Sequence, residues 1–227
     1  MPTLDNEARQ AWRAGIDREL DWWRDYLANK GLSQPEEFRF RFDPDAPLQP
    51  HIARLLPLPG DGSSPPILDC AAGPATTLGK TIDGRRLAIT AVDALAEHYR
   101  AMLDDLGLVP PVPTIGCEVE RLDTRFEADT FDLVYMRFAL DHCYDPLAAL
   151  RQMVRAARPG GVVMIEHYRD EAETTYQGLK QWSLRPVPGD LVVENARRSF
   201  RVGEAVAGVR VEVEASPTWL TVLLHKR

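Results

Sequence analysis

The chain is short of basic residues, of cysteine and of long apolar runs, and each shortage closes off a class of function. Its 227 residues hold 27 Lys and Arg against 34 Asp and Glu, for a net charge of −7. A broad nucleic-acid surface needs the opposite balance. The densest basic cluster, Arg197, Arg198 and Arg201, is short and flanked by Glu194 and Glu204. Cys70, Cys117 and Cys143 lie far apart, show no metal-ligand spacing and cannot all pair. That usage suits a reducing compartment, so the expected location is cytoplasmic. No apolar run approaches the roughly 20 residues of a membrane span, and the charge crowded between Leu4 and Arg24 argues against a cleavable leader. The dinucleotide fingerprint Gly-x-Gly-x-x-Gly is absent, as are internal repeats. The expectation is one α/β domain over residues 1–227, long enough to bury its own core.

What is present is organised around Ile67-Leu68-Asp69-Cys70-Ala71-Ala72-Gly73-Pro74-Ala75-Thr76. An apolar strand ends in an acid and runs into a turn of small residues, which lets backbone N–H groups approach a ligand closely. A second strand, Leu87 to Val92, is capped by Asp93. An acid about 20 residues past such a turn can accept two hydrogen bonds from a ribose diol. The layout is that of a nucleoside-binding unit.

Around this centre the pattern alternates strand and helix. Trp12, Ile16, Leu20, Trp23 and Leu27 repeat at helical spacing over residues 4–30, with Gly31 as a stop. Residues 1–31 thus read as an N-terminal helix, either packed on the domain or closing as a lid. Phe38, Phe40 and Phe42 alternate with Arg39 and Arg41, which predicts a short extended piece. Arg41 is expected in solvent or paired with Asp43 or Asp45, with an anionic ligand group as the other reading. Residues 76–80 are expected to start the first crossover helix. A helix over 94–106 and a strand over 114–117 follow, then an apolar strand at Phe131–Met136 and a helix opened by Asp145-Pro146. Next come a strand over 162–167, a polar and aromatic lid-like insertion over 168–189 holding Tyr176 and Trp182, and a helix over 200–207. The last two strands, 209–214 and 218–224, are joined by so few residues that they must run antiparallel.

The segment Ile67-Leu68-Asp69-Cys70-Ala71-Ala72-Gly73, with Phe131-Asp132-Leu133-Val134 and Arg158-Pro159-Gly160-Gly161 before an apolar strand, resembles class I S-adenosylmethionine-dependent methyltransferases of the small-molecule type. Ala71 and Ala75 stand where that family has glycine. The resemblance implies a three-layer, Rossmann-like α/β sandwich on a mostly parallel seven-stranded sheet with a C-terminal antiparallel strand. It implies S-adenosyl-L-methionine as cofactor, bound by Asp69, Ala71, Gly73, Asp93, Glu118, Val119 and Arg137. By that match Glu118 receives the adenine amino group and the Val119 backbone N–H a ring nitrogen. The implied reaction is methyl transfer to a small molecule, with a hydroxyl oxygen as the expected acceptor. Two alternatives stay open: a cofactor- or partner-binding protein without methyl transfer, and non-methyl chemistry in the same pocket.

A hydroxyl acceptor must lose a proton, and histidine is suited to take it. His142, with Asp141 to orient it, is the first candidate; His167, at the end of the fifth strand, is the second. Asp141, His142, Glu166 and His167 could meet on one rim. Magnesium prefers oxygen ligands, so no metal is expected there.

Overall fold

The computed structural model describes residues 4–58, 60–169 and 179–227. Its frame grows from β1 (Pro66–Cys70), whose apolar run is buried and pairs in parallel with β4 (Ala88–Asp93) on one side and β6 (Phe131–Arg137) on the other. A strand paired and covered on both sides needs an apolar side chain at nearly every position. The sheet continues in parallel to β5 (Thr114–Gly116) and to β7 (Ala157–Tyr168). It ends with β12 (Trp219–Lys226), antiparallel to β7, and β11 (Val209–Ala215). The order is β11-β12-β7-β6-β1-β4-β5, seven strands with β12 reversed, as the resemblance implied.

Two layers cover this sheet. The short helix α3 (Pro50–Ala53) and Leu78 lie against Ile67, Leu133, Tyr135 and Met164 on one face. The helix α5 (Pro146–Ala156), with Asp145 capping Ala148 N at 3.1 Å, covers Val134, Met136 and Val163 on the other. Beside α5 lies a small antiparallel sheet of β8 (Ser183–Val187), β9 (Asp190–Glu194) and β10 (Ser199–Arg201). The helix expected over 200–207 shrinks to one turn, α6 (Val202–Ala205), because residues 199–201 pair with β9 instead.

The N-terminal helix α1 (Leu4–Ala28) stops where Lys30, Gly31 and Leu32 take positive φ in succession, with Gly31 N bonded to Tyr26 O at 2.8 Å. Its second half packs Leu20, Trp23, Tyr26 and Leu27 against Leu95 and against Tyr99 and Leu103 of α4 (Ala96–Asp105).

Two expectations are corrected. Residues 35–42 form a helix, α2 (Pro35–Phe42), and not an extended piece. Pro35 opens it, Glu36 and Glu37 sit in its first turn and Arg39 and Arg41 in its last, all favourable to the helix dipole. The alternation is then an i,i+4 pattern: Phe38 meets Phe42 at 4.7 Å and Glu37 pairs with Arg41 at 2.9 Å. The first crossover also holds no helix at residues 76–80. Its backbone turns to residues 46–49, with Lys80 N on Ala46 O at 2.7 Å and Leu48 N on Thr81 O at 2.7 Å. A hairpin of β2 (Thr81–Ile82) and β3 (Arg85–Arg86) follows. Gly79 permits this approach, since a Cβ there would lie 2.1 Å from Pro47 O.

Candidate active site

Ligands in an open parallel sheet bind outside the carboxyl ends of the strands. Here that rim opens into a cavity of about 490 Å³ roofed by α1, from which Trp12, Glu19, Trp22 and Trp23 reach in. The size is that of a small-molecule site.

The floor over β1 and β4 is the small-residue turn. Ala71 and Gly73 take φ of +53° and +68°, which swings the turn back beneath Trp23. Gly73 N donates to Asp93 Oδ2 at 3.0 Å, and Leu95 N donates to Asp93 Oδ1 at 2.8 Å. Each carboxylate oxygen keeps a lone pair for a ligand hydroxyl. Burial pushes Asp93 up to about 6 despite these two bonds. Burial likewise lifts Asp69 to about 7, against the Thr76 Oγ1 hydrogen bond at 2.5 Å and nearby Arg41. Both acids line the cavity. A Cβ on Gly73 would sit 2.7 Å from the Trp23 ring. We expect Gly73→Ala to lower stability by about 1–2 kcal/mol from the left-handed backbone alone, with Trp23 displaced besides; thermal melts with tryptophan fluorescence read both.

Over β5 the chain differs from its expected role. Val119 lines the cavity, but Glu118 does not. Its Oε2 is held by Arg9 of α1 at 2.5 Å and by the Tyr144 hydroxyl at 2.9 Å. Glu120, which the sequence reading passed over, lines the cavity instead. It accepts Tyr144 N at 2.9 Å, and burial pushes it up to about 7.

Arg41 is a further correction. It is buried, neither solvated nor paired with Asp43 or Asp45. Its Nη1 donates to Ala75 O at 2.5 Å, it pairs with Glu37, and Trp23 lies 5.3 Å from the guanidinium. The helical conformation of α2 carries it there. Once Glu37 and Arg41 are seen at i,i+4, the pairing is legible in the sequence.

Over β6 and β7 stand the proton-transfer candidates. Asp141 and His142 lie in the 3-10 turn Leu140–His142. His142 lines the cavity, with Nε2 3.8 Å from Asp141 Oδ1. His167 is only 2% exposed and is absent from the cavity wall. Its Nδ1 meets Tyr168 O at 2.7 Å and its Nε2 meets Asp141 Oδ1 at 2.8 Å. A carbonyl only accepts, so Nδ1 donates to Tyr168 O, and Nε2 faces the Asp141 carboxylate. Burial acts to raise Asp141, yet the two imidazoles outweigh it and hold the carboxyl below its usual range. Glu166 stays apart from this group. Adjacent strand residues face opposite sides, and Glu166 accepts the Tyr135 hydroxyl at 2.5 Å and meets His51 Nε2 at 3.0 Å across the sheet. Among the described residues no cluster of three His, Cys, Asp or Glu could hold a metal. Trp182 is core, its Nε1 donating to Cys143 O at 3.0 Å. Tyr176, with residues 170–178 of the expected insertion, lies outside the described residues, and the later part of the insertion forms β8.

Arg137 and Phe138 close the β6 end. Phe138 takes φ of +56°, an outlier for a bulky side chain. Its ring stacks on Tyr168 at 4.5 Å, and the Arg137 guanidinium lies 4.7 Å above it. No local signal marked either feature.

A family profile described as a methyltransferase domain matches residues 68–165, which span the glycine turn, Asp93 and the Asp141–His142 loop. Over these residues the chain is similar to the class I S-adenosylmethionine-dependent methyltransferases. The ubiquinone/menaquinone biosynthesis C-methyltransferase UbiE of Marinomonas sp. is 30% identical over 127 residues, covering 55% of this chain and 50% of that protein. The demethylmenaquinone methyltransferase of Mycolicibacterium paratuberculosis is 28% identical over 130 residues, 57% of this chain and 53% of that one. The chain therefore spans about half the length of these curated relatives. The fold of Burkholderia thailandensis 1,6-didemethyltoxoflavin-N1-methyltransferase, bound to 1,6-didemethyltoxoflavin and S-adenosylhomocysteine, superposes with a TM-score of 0.54. It shares 16% identity and covers 100% of this chain and 92% of that one. No helix among the described residues is long and apolar enough to cross a membrane.

Proposed function

We propose that this chain transfers a methyl group from S-adenosylmethionine to a small-molecule hydroxyl, with His142 as the base. The observation that carries the reading is one cavity lined by Asp93, the Gly73 turn and His142 together. The donor set fits the cofactor. Asp93 keeps acceptor capacity for a ribose diol, Val119 and Ala72 offer apolar contact and backbone to a purine, and Asp69 with Arg41 match the ammonium and carboxylate of an amino-acid end. Ala71 and Gly73 leave the floor low enough for close approach. Glu118 takes part only after giving up Arg9. Bound there, S-adenosylmethionine supplies a methyl group on a sulfonium, which needs placement more than activation. His142 takes the acceptor proton, and Asp141, bonded to His167, stands 3.8 Å from its Nε2 as a nearby countercharge.

A second reading has the ring carbon beside that hydroxyl as the accepting atom, and the name of the 30% identical C-methyltransferase relative favours it. Deprotonation by the same base starts either path. Calorimetry with S-adenosylhomocysteine, followed by product NMR on a panel of phenols and enols, tests both readings. Micromolar binding with an O-methyl product supports the first, and a C-methyl product moves the proposal to carbon. Absence of binding overturns the methyl-transfer reading.

The buried acids set a pH dependence. Asp69 and Asp93 must be ionised to pair an ammonium and to accept hydroxyls, and they titrate at about 7 and about 6. Cofactor affinity should fall as pH drops from 8 to 5, by about tenfold per unit while Asp69 alone is protonating and up to about a hundredfold per unit once both acids are. Both values lie above the unfolded range. The folded chain therefore binds more protons than the unfolded one between about pH 4 and 7, and these acids cost the unliganded fold stability as pH rises through that window. Calorimetry and melts across the range check the two signs.

With 34 acids against 27 bases, we also expect no binding of RNA or duplex DNA at physiological salt. A micromolar, salt-sensitive anisotropy titration would move the search to a nucleic-acid substrate.

A further inference from the structure

We infer that Arg137 is the anchor for a carboxylate carried by a planar aromatic acceptor. This rests on the methyl-transfer reading of the cavity and adds the chemical class of what is methylated.

The cavity is divided by the strand order. Asp69, Asp93 and Glu120 follow β1, β4 and β5, so that half of the floor is acidic. It matches a ligand that carries positive charge at its sulfonium and ammonium. Arg137, His142 and Lys180 follow β6 and β7, on the other half, together with the Phe138 and Tyr168 rings. An acceptor seated there meets the Arg137 guanidinium, the His142 imidazole and aromatic faces.

Within that half Arg137 stands out by how it is held. Its guanidinium is fixed over Phe138 at 4.7 Å and Trp219 at 5.5 Å, contacts that orient the group without using its N–H donors. Phe138 takes its left-handed backbone in making this platform, a strain that persists where the surrounding structure enforces it. The carboxylate opposite Arg137 is Glu37, 3.8 Å away, and Glu37 lies closer to Arg41 at 2.9 Å. One carboxylate between two guanidinium groups leaves a positive charge uncompensated. The Arg137 Nε is buried, with no hydrogen-bond partner among the described residues. A buried donor left unpaired costs about 1–3 kcal/mol, a cost that a ligand carboxylate would remove through the fork geometry arginine offers.

The shape of the site favours a flat ring. Phe138 and Tyr168 stack within 16° of parallel, and Tyr168 is 43% exposed, so its plane continues into the cavity. A ring laid along that plane brings a substituent at its edge to Arg137 and leaves its hydroxyl to His142.

Arg41 and Arg137 both suit a carboxylate, and the cofactor has one too, so the test must tell the two sources apart. The probe is 2-naphthoate, with 2-naphthol as its uncharged counterpart, titrated calorimetrically into the full chain with and without saturating S-adenosylhomocysteine. We expect wild type to prefer 2-naphthoate by about tenfold or more. In Arg137→Gln that preference should vanish, while S-adenosylhomocysteine affinity changes by less than roughly threefold, well under the loss of one charged hydrogen bond. Glu37→Gln, which removes the opposing carboxylate and keeps Arg137, should tighten 2-naphthoate, so the inference does not depend on the folding of one variant. Equal binding of the two probes by wild type overturns the anionic class. A loss in Arg137→Gln that falls on S-adenosylhomocysteine gives Arg137 to the cofactor instead. Failure of S-adenosylhomocysteine to bind wild type, with the 2-naphthoate preference intact, sinks the methyl-transfer reading and leaves the carboxylate site standing.

Discussion

Replacing His142 by alanine is expected to lower turnover by about 10²–10⁴, the usual contribution of a positioned general base, and to leave cofactor affinity nearly unchanged. The expectation comes from how three residues divide one task. His142 presents its ring to the cavity, on the same wall as Arg137 and Phe138. Asp141 lies 3.8 Å behind it and is itself bonded to His167 at 2.8 Å. A buried carboxylate with one tight imidazole partner stays in place, so the second imidazole has a fixed charge to orient against. His167 has both nitrogens engaged and no path to the cavity, and its removal should register first as lost thermal stability. Single-turnover rates for His142→Ala and melting curves for His167→Gln separate the two. A His142→Ala protein with wild-type turnover, or a His167→Gln protein that melts normally and turns over slowly, would reverse the assignment.

Asp93→Ala should weaken S-adenosylmethionine binding by about one to two orders of magnitude, the worth of charge-assisted hydrogen bonds to a diol. Its place at a strand end suggests a substitution that spares the fold. The structure adds a cost, because Asp93 also accepts from Gly73 N at 3.0 Å and Leu95 N at 2.8 Å, and alanine strands both donors in a buried site. Asp93→Ala should therefore melt earlier as well as bind weakly. Asp93→Asn retains a side-chain acceptor for one of those donors and should lose affinity with a smaller stability loss. Calorimetry and melts on the two variants together check this. Equal affinity in wild type and Asp93→Ala would remove Asp93 from the site.

Several local signals carried through from the sequence to the fold. Buried parallel strands need continuous apolar runs, so β1, β6 and β7 were visible in Ile67–Leu68, Phe131–Met136 and Val162–Ile165. The helical stripe of α1, the Asp145-Pro146 start of α5 and the short joint between β11 and β12 belong to the same kind of signal. So do the positions of Asp69 and Asp93, since an acid ending a strand before a small-residue turn is a local pattern. Even the separation of Glu166 from His167 follows from strand alternation, once β7 is extended to Tyr168.

What the tertiary structure alone decided involves partners far apart in the chain. Glu118 is drawn from its expected role by Arg9, 109 residues away, because α1 is laid across the rim. Residues 76–80 give up a helix because segment 46–49 accepts and donates the hydrogen bonds that a helix would have supplied internally. Arg41 is buried because α2 turns it toward Ala75, and Trp23 roofs Gly73 because α1 packs on α4. That Asp141 lies closer to His167 Nε2, at 2.8 Å, than to His142 Nε2, at 3.8 Å, is likewise a matter of packing. Local sequence sets backbone periodicity and strand ends; which distant side chain wins a shared carboxylate is settled only when packing brings the competitors within hydrogen-bond distance.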